Sequence, residues 1–257
     1  MKILVIGDVT SPAGVEHLKA NLWKTRERLE VDFTVVNGEN ASFVTGISPE
    51  LAETLLRVGA DAVTGGNHTM QNKQCYTFMD DRREMLRPIN FGDGAPGRGY
   101  SLLDANGYRI LVINAMGNVH IEPQLDSPYR FIDRALCEME GRYDFSILDF
   151  HAEATGEKVA LAHAYDGKIN IIFGTHTHVQ TADECILPRG TGYITDVGMC
   201  GESGGILGMD VECVITKMKT HLPNKFKPAS GNVVANAALF TLDEGSGRVT
   251  NVERISF

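Results

Sequence analysis

The sequence lacks the means for a disulfide-stapled or membrane-spanning protein. Its five cysteines, Cys75, Cys137, Cys185, Cys200 and Cys213, are odd in number, scattered, and form no C-x-x-C pair. Reduced thiols fit this pattern better than a disulfide framework. No uninterrupted apolar run reaches the roughly 18 residues that a membrane-crossing helix needs. The chain enters KILVIGD with no basic region leading into an apolar stretch and cleavage site, so the expected location is the cytoplasm. Positive charge is also scarce: 24 Lys and Arg against 33 Asp and Glu give a formal charge of −9. That argues against an extended surface gripping polymeric nucleic acid through many phosphates. A small anionic substrate stays open, provided that bound cations supply the positive field. There is no G-x-S-x-G elbow and no cysteine set beside a histidine as a nucleophile. The glycine-rich Gly204-Gly205-Ile206-Leu207-Gly208 lacks the Lys-Ser/Thr of a P-loop and reads instead as a flexible active-site loop. With no linker, fixed-period repeat or low-complexity segment, residues 1–257 read as one domain.

What is present is an alternation of strands and helices. KILVIG is a short β-branched run ending in Gly and Asp. The charged stretch from Gly14 to Glu30 places apolar residues at Val15, Leu18, Leu22 and Leu29, as a helix does. VDFTVVNG reads as a strand, Ser48-Pro49-Glu50 as a helix start, LAETLLRVG as helix and ADAVTGG as strand. This grammar implies βαβ units and a largely parallel sheet. Around Asn106-Gly107 two extended segments flank a type I′ hairpin signal, so an antiparallel piece makes the sheet mixed. YRFIDRALCEME and EKVALAHAY read as helices, YDFSILDFH, KINIIF and GYITDVG as strands, and the tail from Asn232 as a closing hairpin.

The polar residues collect where these strands end. Asp8 follows the first, Asn37-Gly38-Glu39-Asn40 the second, Asn67-His68 the third, His151 ends ILDF, and His176-Thr177-His178 follows IIFG. Ligands of open α/β sheets bind beyond the carboxyl ends of strands, so five distant segments are expected to converge. Carboxylate, amide oxygen and neutral imidazole together suit a borderline divalent metal such as zinc, manganese or iron. If the backbone stays extended past IIFG, His176 and His178 face one crevice with Thr177 turned aside, and two metals could each take one. Taken singly, each residue has a plainer reading: Asp8 as a turn or cap residue, Asn37 and Asn40 as Asx-turn residues, His68 as a surface side chain in a tight turn. Their joint occurrence favours the metal site.

These motifs, GDV, NGEN, GGNHT, DFHAEAT and GTHTHVQTAD, with ITDVGMCG and GGILGMD beyond them, resemble the calcineurin-like metallophosphoesterases, in particular the YmdB-type bacterial phosphodiesterases. The match runs from Asp8 to about Met209. The resemblance implies a four-layer α/β/β/α sandwich with mixed sheets and two divalent metal ions per subunit. It implies hydrolysis of small phosphodiesters, 2′,3′-cyclic nucleotides included, and is compatible with a homodimer or homotetramer. Carried over by position, Asp8 and His178 hold one metal with Asn40 completing its shell, Asn67, His151 and His176 hold the other, and Glu39 bridges. The D-x-H of the wider superfamily stands here as Asp8-Val9-Thr10, and Glu39 replaces its bridging aspartate, both as in the YmdB-type subgroup. Exchanging an imidazole for an amide oxygen hardens one site and favours iron or manganese, with zinc still open. The mechanism expected is attack by a metal-bridging hydroxide, with His68, beside a ligand but not itself one, as general acid. A phosphomonoesterase or protein phosphatase on the same scaffold, or a metal-bound regulatory scaffold with little catalysis, are the alternatives.

Overall fold

The structure is a computed structural model that describes residues 1–43 and 46–257. The amino-terminal half runs β1 (Lys2–Ile6), β2 (Asp8–Val9), α1 (Pro12–Leu29), β3 (Phe33–Asn37), α2 (Pro49–Arg57), β4 (Ala62–Thr64), a 3-10 turn (Thr69–Gln71), α3 (Cys75–Asp81), β5 (Tyr100–Ala105) and β6 (Tyr108–Met116). It continues through α4 (Pro128–Glu138), β7 (Phe145–His151), α5 (Thr155–Ala164), β8 (Ile171–Thr175), β9 (Cys185–Ile186), β10 (Gly192–Ile194), β11 (Met199–Glu202), α6 (Val211–Thr220), β12 (Val233–Leu242) and β13 (Val249–Ser256).

Local chemistry sets the helix ends. Ser11 and Ser48 cap α1 and α2, their hydroxyls accepting from the Gly14 and Leu51 amides, and each is followed by proline at the first helical position. Val15, Leu18 and Leu22 of α1 are buried, the spacing that aims one helical stripe at a sheet. Asn106 and Gly107 sit at φ 50° and 89°, as a type I′ turn requires, and join β5 to β6 antiparallel.

Two mixed sheets result. The first has the order β2-β11-β12-β1-β3-β4, with β13 also paired to β12; the second has the order β5-β6-β7-β8-β10-β9. Strands β1, β3 and β4 run parallel, as do β6, β7, β8 and β10. The antiparallel tail strand β12 lies against β1, so the last hairpin closes the first sheet.

Strand side chains alternate between two faces, and both faces here are covered. Ile3, Val5, Phe33 and Val35 meet Ile110, Val112, Phe145, Ile147, Ile171 and Phe173 in a core between the sheets. Their neighbours Leu4, Ile6 and Val36 turn the other way and pack with Val15, Leu18 and Leu22 of α1 and Leu55 of α2. Leu111, Ile113, Leu148 and Ile172 pack outward against Phe131 and Ile132 of α4 and Leu161 of α5. Helices, sheet, sheet, helices: the four-layer sandwich is observed. Burial on both faces explains why these strands read as continuous apolar runs rather than alternating ones. No helix among the described residues is long and apolar enough to cross a membrane.

Candidate metal centre

The carboxyl ends of β3 and β4 in one sheet meet those of β7 and β8 in the other, and one buried carboxylate ties them. Asp149, on β7, accepts from Asn37 Nδ2 at 2.9 Å, from the Thr64 hydroxyl, and from Thr175 Oγ1 at 2.7 Å. Burial pushes its carboxyl up to about 7 against these hydrogen bonds. Asn37 also turns its Oδ1 to the Glu39 amide at 3.1 Å, the Asx-turn role, and so fixes where Glu39 begins.

This scaffold orients His151. When Asp149 is ionised, Thr175 gives it its one hydroxyl proton and accepts from His151 Nδ1, 2.9 Å away. His151 then carries its proton on Nδ1, and Nε2 is left with a lone pair. Around that atom stand Asn67 Oδ1 at 2.9 Å, His176 Nδ1 at 3.1 Å and Glu39 Oε2 at 3.6 Å. His176 Nε2 lies 3.2 Å from the Glu153 carboxylate on the other side of its ring. Burial pushes both imidazoles below their ordinary pKa. Ligand-type atoms of Asn67, His151, His176 and Glu39 thus face one another.

Asp8 is similarly placed. Fully buried, it accepts the His176 amide at Oδ2 (2.9 Å), while Oδ1 has no hydrogen-bond partner and lies 3.7 Å from His151 Nδ1. Burial, then the carboxylates of Glu39 and Asp196, push its carboxyl well above the usual range. Burial also works against an ionised Glu39, but the imidazoles of His151 and His68 and the His68 amide outweigh it and hold Glu39 below the usual range. Among the described residues, ligand atoms of Asp8, Glu39 and His151 all lie within 4.8 Å of one another. A buried orphan carboxylate oxygen beside converging ligand-type atoms is what a cation would satisfy, and this donor set fits divalent metal.

Asn40 and His68 sit at the mouth of the cluster. Asn40 donates from Nδ2 to Glu39 Oε1 at 2.5 Å and accepts at Oδ1 from His68 Nδ1 at 2.7 Å. The His68 amide donates to Glu39 Oε2 at 2.9 Å. Burial opposes charge on this imidazole, but the Glu39 carboxylate outweighs it and raises the His68 pKa.

The histidine pair is built differently from the extended segment expected of the sequence. β8 ends at Thr175, and the chain then takes positive φ at His176 (102°) and His178 (63°). Non-glycine residues adopt such backbone rarely, and here the surroundings impose it. Thr177 does turn aside: its amide and hydroxyl both donate to Asp196 Oδ2, at 3.0 and 2.8 Å. Asp196 is held in turn by a buried salt bridge to Lys158 of α5 at 2.7 Å. His176 points inward, whereas His178 Nδ1 lies 3.2 Å from the Leu207 carbonyl oxygen. Both border one cavity of about 380 Å³ together with Glu39, Asn40, His68 and Glu153.

The far side of that cavity is apolar, formed by Ile206, Leu207, Met209, Val214, Met218 and Phe226. The glycine-rich stretch expected to be an active-site loop does border the cavity, and it is shaped as a hydrogen-bonded turn: Ile206 and Met209 exchange both backbone bonds at 2.9 Å, with Leu207 and Gly208 at φ 53° and 84°. Sequence reasoning missed Asp149, Glu153, Lys158, Thr175, Asp196 and the Met218–Phe226 wall. An Asp inside the apolar SILDFH and a Lys on the inward side of EKVALA were the available signals. Nothing in the sequence pointed to the wall.

A helix-flanked pair of mixed sheets with carboxylate, amide and imidazole groups converging at strand ends is the architecture of the calcineurin-like metallophosphoesterases. Within that class, the chain belongs to the family described as YmdB-like protein, whose profile matches residues 4–255. It is 43% identical over 255 residues to the 2′,3′-cyclic-nucleotide 2′-phosphodiesterase of Bacillus subtilis, covering 99% of this chain and 96% of that one. A crystal structure of a phosphatase from Mycoplasma pneumoniae superposes with a TM-score of 0.92 at 32% identity, covering 100% of this chain and 93% of that one. A hypothetical protein from Thermus thermophilus does so at 0.91 and 36%, covering 100% and 99%.

Proposed function

We propose that residues 1–257 form one catalytic unit that hydrolyses small phosphodiesters, 2′,3′-cyclic nucleotides among them. The observation that carries this reading is the convergence of ligand-type side chains, Asp8, Glu39, Asn67, His151 and His176, beside a cavity bordered by His68. The name of the 43% identical relative supports the substrate class. In this reading Asp8, Asn40 and His178 would hold one divalent ion and Asn67, His151 and His176 a second, with Glu39 shared between the two sets. Such ions, when bound, would supply positive charge for the phosphate and lower the pKa of attacking water. The weight of carboxylate and amide oxygen in the set favours iron or manganese over zinc.

The protein's own groups do the rest. Thr175 and Asp149 fix the His151 ring, and Glu153 stands 3.2 Å from His176 Nε2. The His68 amide and Asn40 Nδ2 orient the Glu39 carboxylate. With Nδ1 of His68 taken by Asn40, Nε2 is the atom left to hand a proton to a departing ribose oxygen.

The test is direct. Purified protein loaded with manganese or iron should open 2′,3′-cyclic nucleotides, and identifying the product monophosphate shows which P–O bond breaks. Absence of turnover on every cyclic nucleotide, with metal bound, would sink the reading; faster turnover of aryl monoesters would replace it with a phosphomonoesterase.

A further inference from the structure

The cavity beside the cluster has two unlike sides. Its floor is Glu39, Asn40, His68, Glu153, His176 and His178, whereas its wall, from Ile206 to Phe226, contributes no charged side chain among the described residues that line it. That wall is not stray surface. The Asp210 amide donates to Lys227 O at 3.0 Å, Asn224 Nδ2 to Cys213 O at 3.1 Å and the Ala229 amide to Gly208 O at 2.9 Å. These bonds hold the segment carrying Phe226 against α6 and the Ile206–Met209 turn. The ammonium of Lys217 lies 4.4 Å from the Phe226 ring centroid and braces the ring. On the same wall Met218 is 69% exposed and Leu207 45%, large apolar side chains left open beside a polar floor.

We infer that this wall is a nucleobase subsite, with Phe226 as the stacking platform and Leu207 and Met218 as its adaptable sides. The inference rests on the proposed phosphodiesterase reading and deepens it by assigning the recognition residues. A ligand that fills both sides must carry an anion and, one sugar away, a flat apolar face. A ribonucleotide 2′,3′-cyclic phosphate has that shape, and a cavity of about 380 Å³ is within the range of small-ligand sites. Stacking on an aromatic ring accepts any base, because every base has a π-face. Methionine adds a polarizable, conformationally tolerant contact. Because the wall offers no side-chain donor or acceptor to read a base edge, the four bases should differ by contact area alone, purines binding more tightly than pyrimidines.

The experiment compares metal-loaded wild type, Phe226→Ala and Phe226→Tyr on a purine 2′,3′-cyclic nucleotide, a pyrimidine one and base-free ribose 2′,3′-cyclic phosphate. Phe226→Ala should raise KM for the purine substrate about tenfold with kcat retained and leave the base-free substrate unchanged, while Phe226→Tyr restores KM. An unchanged purine KM in Phe226→Ala, or an equal rise on the base-free substrate, overturns the subsite. If wild type hydrolyses none of the three, the catalytic reading fails, and the subsite is judged by binding. Saturation-transfer NMR with adenosine should then give a signal in wild type that Phe226→Ala loses, and no signal in wild type overturns it.

Discussion

The two sheets bring different chemistry to one place. From the first come the oxygen donors Asp8, Glu39, Asn40 and Asn67, with His68 beside them; from the second come the imidazoles of His151, His176 and His178. The first set places two carboxylates, Asp8 and Glu39, in a buried position, and burial first and the neighbouring carboxylates second raise the Asp8 pKa. The second brings two imidazole nitrogens, His151 Nε2 and His176 Nδ1, within 3.1 Å of each other. The candidate site combines both sets, so it is a property of the interface between sheets. Asp149 spans that interface, accepting from Asn37 and Thr64 of the first sheet and Thr175 of the second.

The sharpest way to break this comparison is to remove the ions. Chelation should reduce hydrolysis of a cyclic nucleotide to background, and manganese should restore it; full turnover by metal-free protein, checked by elemental analysis, would mean that the halves do not meet at a cation. Next, one residue is removed from each half. Asp8→Ala and His151→Ala should each lower bound metal and cut turnover by about 10²-fold or more, and metal loss confined to one half would show two independent sites. His68→Ala sharpens the contrast between holding metal and moving a proton. Metal content should stay while kcat falls about 10²- to 10⁴-fold on substrates with poor leaving groups.

Smaller effects test the supports. Lys158→Met leaves Asp196 buried without its cation, and thermal unfolding should show a loss of about 3–5 kcal/mol, because an uncompensated buried charge is costly. Asp149→Asn keeps the shape but weakens the acceptor shared by the two sheets. A loss of about 1–3 kcal/mol is expected in denaturant titration, and no change would show that other contacts hold the sheets in register.

The amino-acid order by itself determined a good deal. Apolar runs ending in Gly, Asp, Asn or His gave the central strands, Ser-Pro pairs gave the starts of two helices, and Asn106-Gly107 gave a hairpin, because each follows from local backbone and hydration chemistry. The convergence of ligand-type residues was legible for the same reason: parallel strands end on one side, and those ends carry the side chains. Short strands such as β9 and β11, and α6, which buries none of its residues, leave no such periodic trace. Tertiary structure alone decided the rest. The division of strands between two sheets, the left-handed turn that sends His176 inward, the orientation of His151 set by Asp149 through Thr175, and the wall around Phe226 all depend on residues far apart in the chain. Local preference cannot specify a side chain's direction when its hydrogen-bond partner lies more than a hundred residues away, as Asp149 does from Asn37.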